Sequence, residues 1–253
     1  AGKIIGCWKA LAKQKMTPDL VGDSDPMKRA VAFCQVIETN KGAKVHKVSS
    51  KNIANMFQAV VQAYQDSEDL DDDELQTSPA YTLQCEAEHV DGGMNASAKE
   101  GKLSWLKDEP PENTCRILSN VRCLSEGVDV PALDAVLFLT PRNSQVDVVQ
   151  SVGRVMRNAP GKRRGYVVLP VVIPAGVEPH AALHANKPYP VVWEVLQALR
   201  SHDDKFDAMV NKLELVGNDR SKIEIIAVSD NIQKKTKRKK DENGLKNKTA
   251  GRG

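Results

Sequence analysis

Aromatic residues make up only 4% of these 253 residues. Stacking platforms for single-stranded bases are therefore not obvious. No uninterrupted apolar run reaches the roughly 20 residues needed to cross a bilayer, and the N-terminus has no signal-peptide pattern. No G-x-x-x-x-G-K-[ST] loop is present to cradle phosphates. Gly2-Lys3 lacks the following Ser/Thr, and Gly161-Lys162 runs into Arg163. No D-E-x-H/D follows an apolar strand, and no H-E-x-x-H occurs. The Asp73-Glu74 pair belongs to an acidic surface run, Glu68 to Glu74, with no strand before it. The five cysteines, Cys7, Cys34, Cys85, Cys115 and Cys123, are odd in number and form no C-x-x-C. They read as buried free thiols in a reducing cytoplasm. His180-x-x-x-His184 lacks a third ligand and is flanked by Pro174, Pro179 and Pro188, so the expected metal set is none.

The formal net charge is +3. From Lys234 to Gly253 there are nine Lys/Arg and two acids, a surplus of +7, which leaves −4 on the rest. The main body is thus not a strongly basic nucleic-acid domain, and any footprint there must be local. An apolar fraction of 41% and this length suit one α/β domain with appendages.

Apolar runs at Arg29–Val36, Leu83–Val90, Arg116–Leu118, Ala135–Leu139 and Tyr166–Leu169 predict strands, the last three as buried parallel strands. Helices are predicted over Ile4–Lys15, from Ser49 to Tyr64, from Asn95 past Leu106, and from Ser144 to Arg157. Ile53, Met56, Phe57, Val60 and Val61 are the expected buried stripe of the second. Val146, Val149, Val152 and Met156 are that of the last. Beyond a Pro/Ala/His loop, Val191–Arg200 and Asp203–Leu215 read as paired helices, with a short strand at Ile223–Val228. This alternation predicts an α/β fold, a parallel sheet flanked by helices, with a C-terminal helical extension. Past Asn231 the composition is polar and basic, and disorder is expected.

Two clusters carry chemistry. Glu126-Gly127-Val-Asp129-Val-Pro131 occupies the loop between the third and fourth strands. Gln150-x-x-Gly153-Arg154-x-x-Arg157 lies on the following helix. Arg154 and Arg157 are three residues apart, so both guanidiniums leave one face. Gly153 removes a side chain beside them. Paired, planar, permanently charged donors suit a phosphate with developing negative charge.

These two clusters, in this order and spacing, resemble motifs V and VI of superfamily 2 helicases and translocases. They are more like the excinuclease B and restriction-enzyme branch than the DEAD-box branch, whose sixth motif begins with His. Gly6-Cys-Trp-Lys-Ala-Leu-Ala-Lys13 resembles the connector before the second motor lobe in restriction-associated helicases. His89-Val-Asp91-Gly-x-Met-Asn-Ala resembles the region between motifs IV and V. The resemblance implies the second of two recombinase A-like lobes. Its boundaries are 1–20 for a connector from an N-terminal lobe, 21–175 for the lobe, 176–230 for a helical extension and 231–253 for a basic tail.

The resemblance also implies roles. Arg157 is the arginine finger, with Arg154 beside it on the γ-phosphate. Gln150 and Gly153 lie against the nucleotide, Asp129 accepts from a ribose hydroxyl, and Glu126 and Gly127 assist. Ser119 and Asn120, at the end of the preceding strand, contact the nucleic-acid backbone. ATP and Mg2+ are the implied cofactors, bound mainly by a first lobe of the same polypeptide. Double-stranded DNA is the implied partner, with no membrane involvement, and this chain alone is expected to be inactive. Two other classes stay open: a motor-inactive nucleotide-fold interaction module, and an unrelated doubly wound transferase. A phosphate-loop lobe upstream would exclude the first. A complete pocket inside this chain would favour the second.

Overall fold

The computed structural model describes residues 1–14, 23–37, 49–67, 78–121, 133–155, 159–160, 162, 164–171, 173, 176–177, 181 and 189–201, the last five as backbone only. The elements, in chain order, are α1 (Gly2–Leu11), β1 (Arg29–Phe33), α2 (Ser50–Gln65), α3 (Pro79–Thr82), β2 (Gln84–His89), α4 (Ala96–Lys107), β3 (Thr114–Asn120), β4 (Ala135–Phe138), α5 (Gln145–Val155), β5 (Tyr166–Val168) and α6 (Pro190–Ser201). The five strands form one sheet in the order β2-β3-β1-β4-β5. Every pairing is parallel. β1 therefore lies between β3 and β4, which the chain joins across it.

β1 is buried along its whole length because both faces of the sheet are covered. Successive side chains alternate between faces. Ala30 and Ala32 join one core with Ile4, Trp8 and Leu11 of α1 and Ile53, Phe57 and Val61 of α2. Val31 and Phe33 join the other with Leu106 of α4, Val148, Val149, Val152 and Val155 of α5, and Val192 and Val195 of α6. Small alanines thus meet the bulky Trp8 and Phe57. On the opposite face Phe33 stacks on Phe138, with centroids 5.6 Å apart.

Local chemistry sets the helix ends. Ser49 Oγ accepts from Asn52 N, and Asn95 Oδ1 accepts from Ala98 N, so both helices start where predicted, each with a side-chain N-cap. α1 closes with Lys13 N donating to Ala10 O and Gln14 N to Lys9 O. That pattern puts a left-handed residue at position 13, where glycine is usual. Lys13 takes it, with φ of 53°, and its ammonium reaches Asp23 Oδ1 at 2.8 Å. Two stripe assignments need correction. Met56 is 46% exposed and Val146 is 48% exposed. The chain enters α2 and α5 turned so that Ala54 and Val148 face the core instead. The helix predicted at Asp203–Leu215, the strand at Ile223–Val228, the basic tail, His180, His184 and Cys123 lie outside the described residues.

Candidate functional site

α5 begins at Ser144, whose Oγ accepts from Asp147 N at 3.3 Å. Its core stripe, Val148, Val149, Val152 and Val155, is closely buried. Gln150 and Arg154, one turn apart, are half-buried off that stripe. Gly153 is buried. Arg157, Glu126, Gly127 and Asp129 lie outside the described residues.

The described residues on either side of those positions are tightly held. Lys162 Nζ donates to Leu133 O at 2.6 Å, and also to Val155 O. Burial pushes its ammonium down to about 8, against the pull of the Asp134 carboxylate. Asp134 Oδ2 accepts from Lys28 N and Arg29 N, at 2.8 and 3.0 Å, and fixes the entry to β1. Gly165 packs so closely that a Cβ there would lie 2.1 Å from Val155 O. Only glycine permits that approach.

At the other edge, beyond the carboxyl ends of the strands, Ser119 is 1% and Asn120 0% exposed. Ser119 Oγ donates to Ser50 O at 2.7 Å and to Glu88 O at 3.2 Å. It thereby ties the start of α2 to the end of β2. Both amide atoms of Asn120 are buried with no hydrogen-bond partner among the described residues. Leaving such a group unpaired costs about 1–3 kcal/mol. Arg142 lies over the Phe33 ring at 4.9 Å and donates to Cys34 O and Val121 O, gathering the ends of β1 and β3. His89 Nε2 is 3.2 Å from Asp91 Oδ2. Although burial opposes it, the Asp91 carboxyl is held below its usual value by the Gly93 N–H and by His89. Burial pushes the Cys7, Cys34 and Cys85 thiols up to about 12, and Cys115 up as well, which favours their protonated form.

Sequence reasoning missed Arg142 and Lys162. Arg142 sits in an irregular turn with no spacing to flag it. Gly161-Lys162 reads on sequence only as a failed phosphate loop.

The helicase conserved C-terminal domain family matches residues 12–159, more than half of the chain. The chain belongs to this family.

Its second recombinase A-like lobe is the sheet and helices described above, here with α6 beyond it. The matched span contains Glu126, Gly127, Asp129, Gln150, Gly153, Arg154 and Arg157. α1 precedes it entirely yet shares its core. Among known proteins, the putative helicase 22 of Sulfolobus islandicus filamentous virus is 32% identical over 82 residues, which are 32% of this chain and 14% of that protein. The probable helicase A859L of African swine fever virus is 40% identical over 57 residues, 22% of this chain and 7% of that protein. Among solved structures, the ATP-dependent Type ISP restriction-modification enzyme LlaBIII bound to DNA is 41% identical with a TM-score of 0.59. That likeness covers 83% of this chain and 12% of that one. This helicase C-terminal domain thus spans a small part of each. Among its described residues, no helix is long and apolar enough to cross a membrane.

Proposed function

We propose that this helicase C-terminal domain is the nucleotide-closing lobe of an ATP-driven DNA translocase in a restriction-modification enzyme. The observation that carries the reading is the division of α5. Val148, Val149, Val152 and Val155 face the core, and Gln150 and Arg154 leave that stripe one turn apart. An amide and a guanidinium, with Arg157 following in sequence, fit an anionic phosphate. The guanidinium, a permanent cation with no acceptor atom, opposes a divalent cation. Among the described residues no three His, Cys, Asp or Glu come together to hold a metal. Mg2+ is assigned, on the family resemblance, to another motor lobe of the polypeptide, together with the phosphate-cradling loop.

ATP supplies the phosphoryl group whose loss drives the motor. The residues of this chain orient and neutralise it. Arg157 is the finger, Arg154 its neighbour, and Gln150 and Gly153 form the adjoining wall. Asp129 accepts from the ribose, with Glu126 and Gly127 beside it. DNA is the proposed partner, supported by the 41% identical relative bound to DNA. Ser119 serves this edge from below, since its hydroxyl is engaged in holding Ser50 and Glu88. The Asn120 amide, buried and without a partner among the described residues, is a group at this edge that gains from a new partner. The basic tail from Lys234 to Arg252 adds sequence-independent attraction to phosphates.

In a polypeptide carrying both motor lobes, Arg157→Ala is expected to lower ATPase kcat about a thousandfold or more. Arg157→Lys should not rescue it, because a point charge does not replace the planar fork. DNA binding should survive. Wild-type turnover in Arg157→Ala would refute the finger assignment. An interaction module without motor activity would show no DNA-stimulated turnover even in the wild type.

A further inference from the structure

Lys162 belongs to neither motif and lies beyond the family match, which ends at 159. Its ammonium nevertheless reaches one carbonyl just past the first motif and one within the second. Leu133, whose oxygen accepts at 2.6 Å, comes four residues after Asp129. Val155, whose oxygen also accepts, comes two residues before Arg157. We infer that Lys162 is a positioning residue that fixes the entry to β4 at Leu133 against the end of α5 that bears Arg154.

A helix leaves its last carbonyls without intrahelical partners, and a cation is the favoured group there. Bonds from an ammonium to carbonyls are charge-assisted and stronger than neutral ones. Here the same cation that closes the end of α5 also grips the strand entry at Leu133, one residue before Asp134. Asp134 is itself immobilised: its carboxylate holds the Lys28 and Arg29 amides, and its carbonyl accepts from Tyr166 N. The end of α5 is thus referenced to the sheet and not to a loop. Gly165, three residues further along the same segment as Lys162, lies so close to the Val155 carbonyl that a Cβ there would be 2.1 Å from the oxygen, so this segment meets Val155 at two points. Displacing a catalytic group by about 1 Å can cost a hundredfold in rate. The groups that depend on this corner are Arg154 on α5 and, by sequence, Arg157.

The inference rests on the proposed arginine finger, and the test separates the two. In a polypeptide carrying both motor lobes, Lys162→Met keeps the aliphatic stem and removes the charge. It should lower kcat about ten- to a hundredfold, with KM for ATP within about twofold, the split expected when only transition-state contacts suffer. DNA affinity should stay at the wild-type value. Lys162→Arg, which keeps a cation, should recover most of the lost kcat. Gly165→Ala drives a methyl into the Val155 carbonyl and should reproduce the kcat-selective loss. It decides the matter if Lys162→Met does not fold. Wild-type kcat in Lys162→Met and in Gly165→Ala would overturn the inference, as would equal losses in kcat, ATP binding and DNA binding. Arg157→Ala runs alongside. If it is inactive while the Lys162 variants turn over normally, only the positioning role falls. If it turns over like the wild type, the finger assignment falls and the positioning role with it.

Discussion

Trp8 offers the sharpest test of how this lobe is bounded. The sequence reading set 1–20 apart as a connector, yet the Trp8 side chain is 0% exposed, inside the core that α1 shares with α2. Its Nε1 donates to Ala80 O at 2.8 Å, which fastens α1 to α3. Truncating a fully buried tryptophan to alanine costs about 3–5 kcal/mol through lost transfer energy and the cavity left behind. The hydrogen bond adds little, because Gln65 Nε2 also donates to Ala80 O, at 3.1 Å, and keeps that carbonyl satisfied. Trp8→Phe retains most of the packing and should cost about 1–3 kcal/mol. For a domain of this size each kcal/mol lowers Tm by about 2–4 °C, so Trp8→Ala should lower it by about 6–20 °C. Thermal and urea unfolding of the purified chain measure this directly. Lys3→Ala, at an exposed position of the same helix, is the control and should shift stability by less than about 0.5 kcal/mol. If Trp8→Ala melts within about 1 °C of the wild type, α1 contributes nothing to the folded lobe and the reasoning fails.

Two further outcomes are expected. Arg142→Leu should lower the unfolding free energy by about 1–3 kcal/mol, because the Cys34 and Val121 carbonyls lose a charged donor; an unchanged urea midpoint would remove the clamp. Glu109, hydrogen-bonded to Lys28 and Arg29, has its carboxyl lowered from 4.5 to about 2. A depressed carboxylate stabilises fully above its unfolded value and loses that contribution as pH falls through its folded value. Glu109→Gln should therefore flatten the stability-against-pH curve between about 4.5 and about 2, and parallel curves for the two proteins would contradict it.

The strands and helix starts were legible because each rests on local chemistry. Ser49 and Asn95 carry the capping oxygen in their own side chains, so the position follows from residue type. The apolar run of β1 reads as a strand, whereas its coverage on both faces, by the two clusters around Val31 and Ala32, shows only in the folded sheet. That Gln150 and Arg154 lie one turn apart off the core stripe follows from their spacing on one helix, whatever surrounds it. Met56 and Val146 were misassigned because a stripe read by period alone has a rotational ambiguity of one residue. Facing valines at Val148 and Val149 resolve it only once the sheet is in place.

Lys162 and Arg142 were illegible in a deeper sense. Each acts by giving hydrogen bonds to backbone carbonyls, and a carbonyl leaves no trace in residue identity. Every residue has one, so no pattern of types could mark Leu133 and Val155 as a shared target. The visible sign is indirect: Gly165 is glycine because the Val155 oxygen occupies the space where a Cβ would lie. The same logic explains Ser119. Its place at the end of β3 suggested an exposed contact, but the parallel register sets it beside His89, and α2 begins above it. Its hydroxyl is consequently enclosed between Ser50 O and Glu88 O. A strand end in a doubly covered sheet is an edge of the backbone ladder without being a surface. Exposure there is decided by where the next helix starts, which depends on contacts distant in sequence.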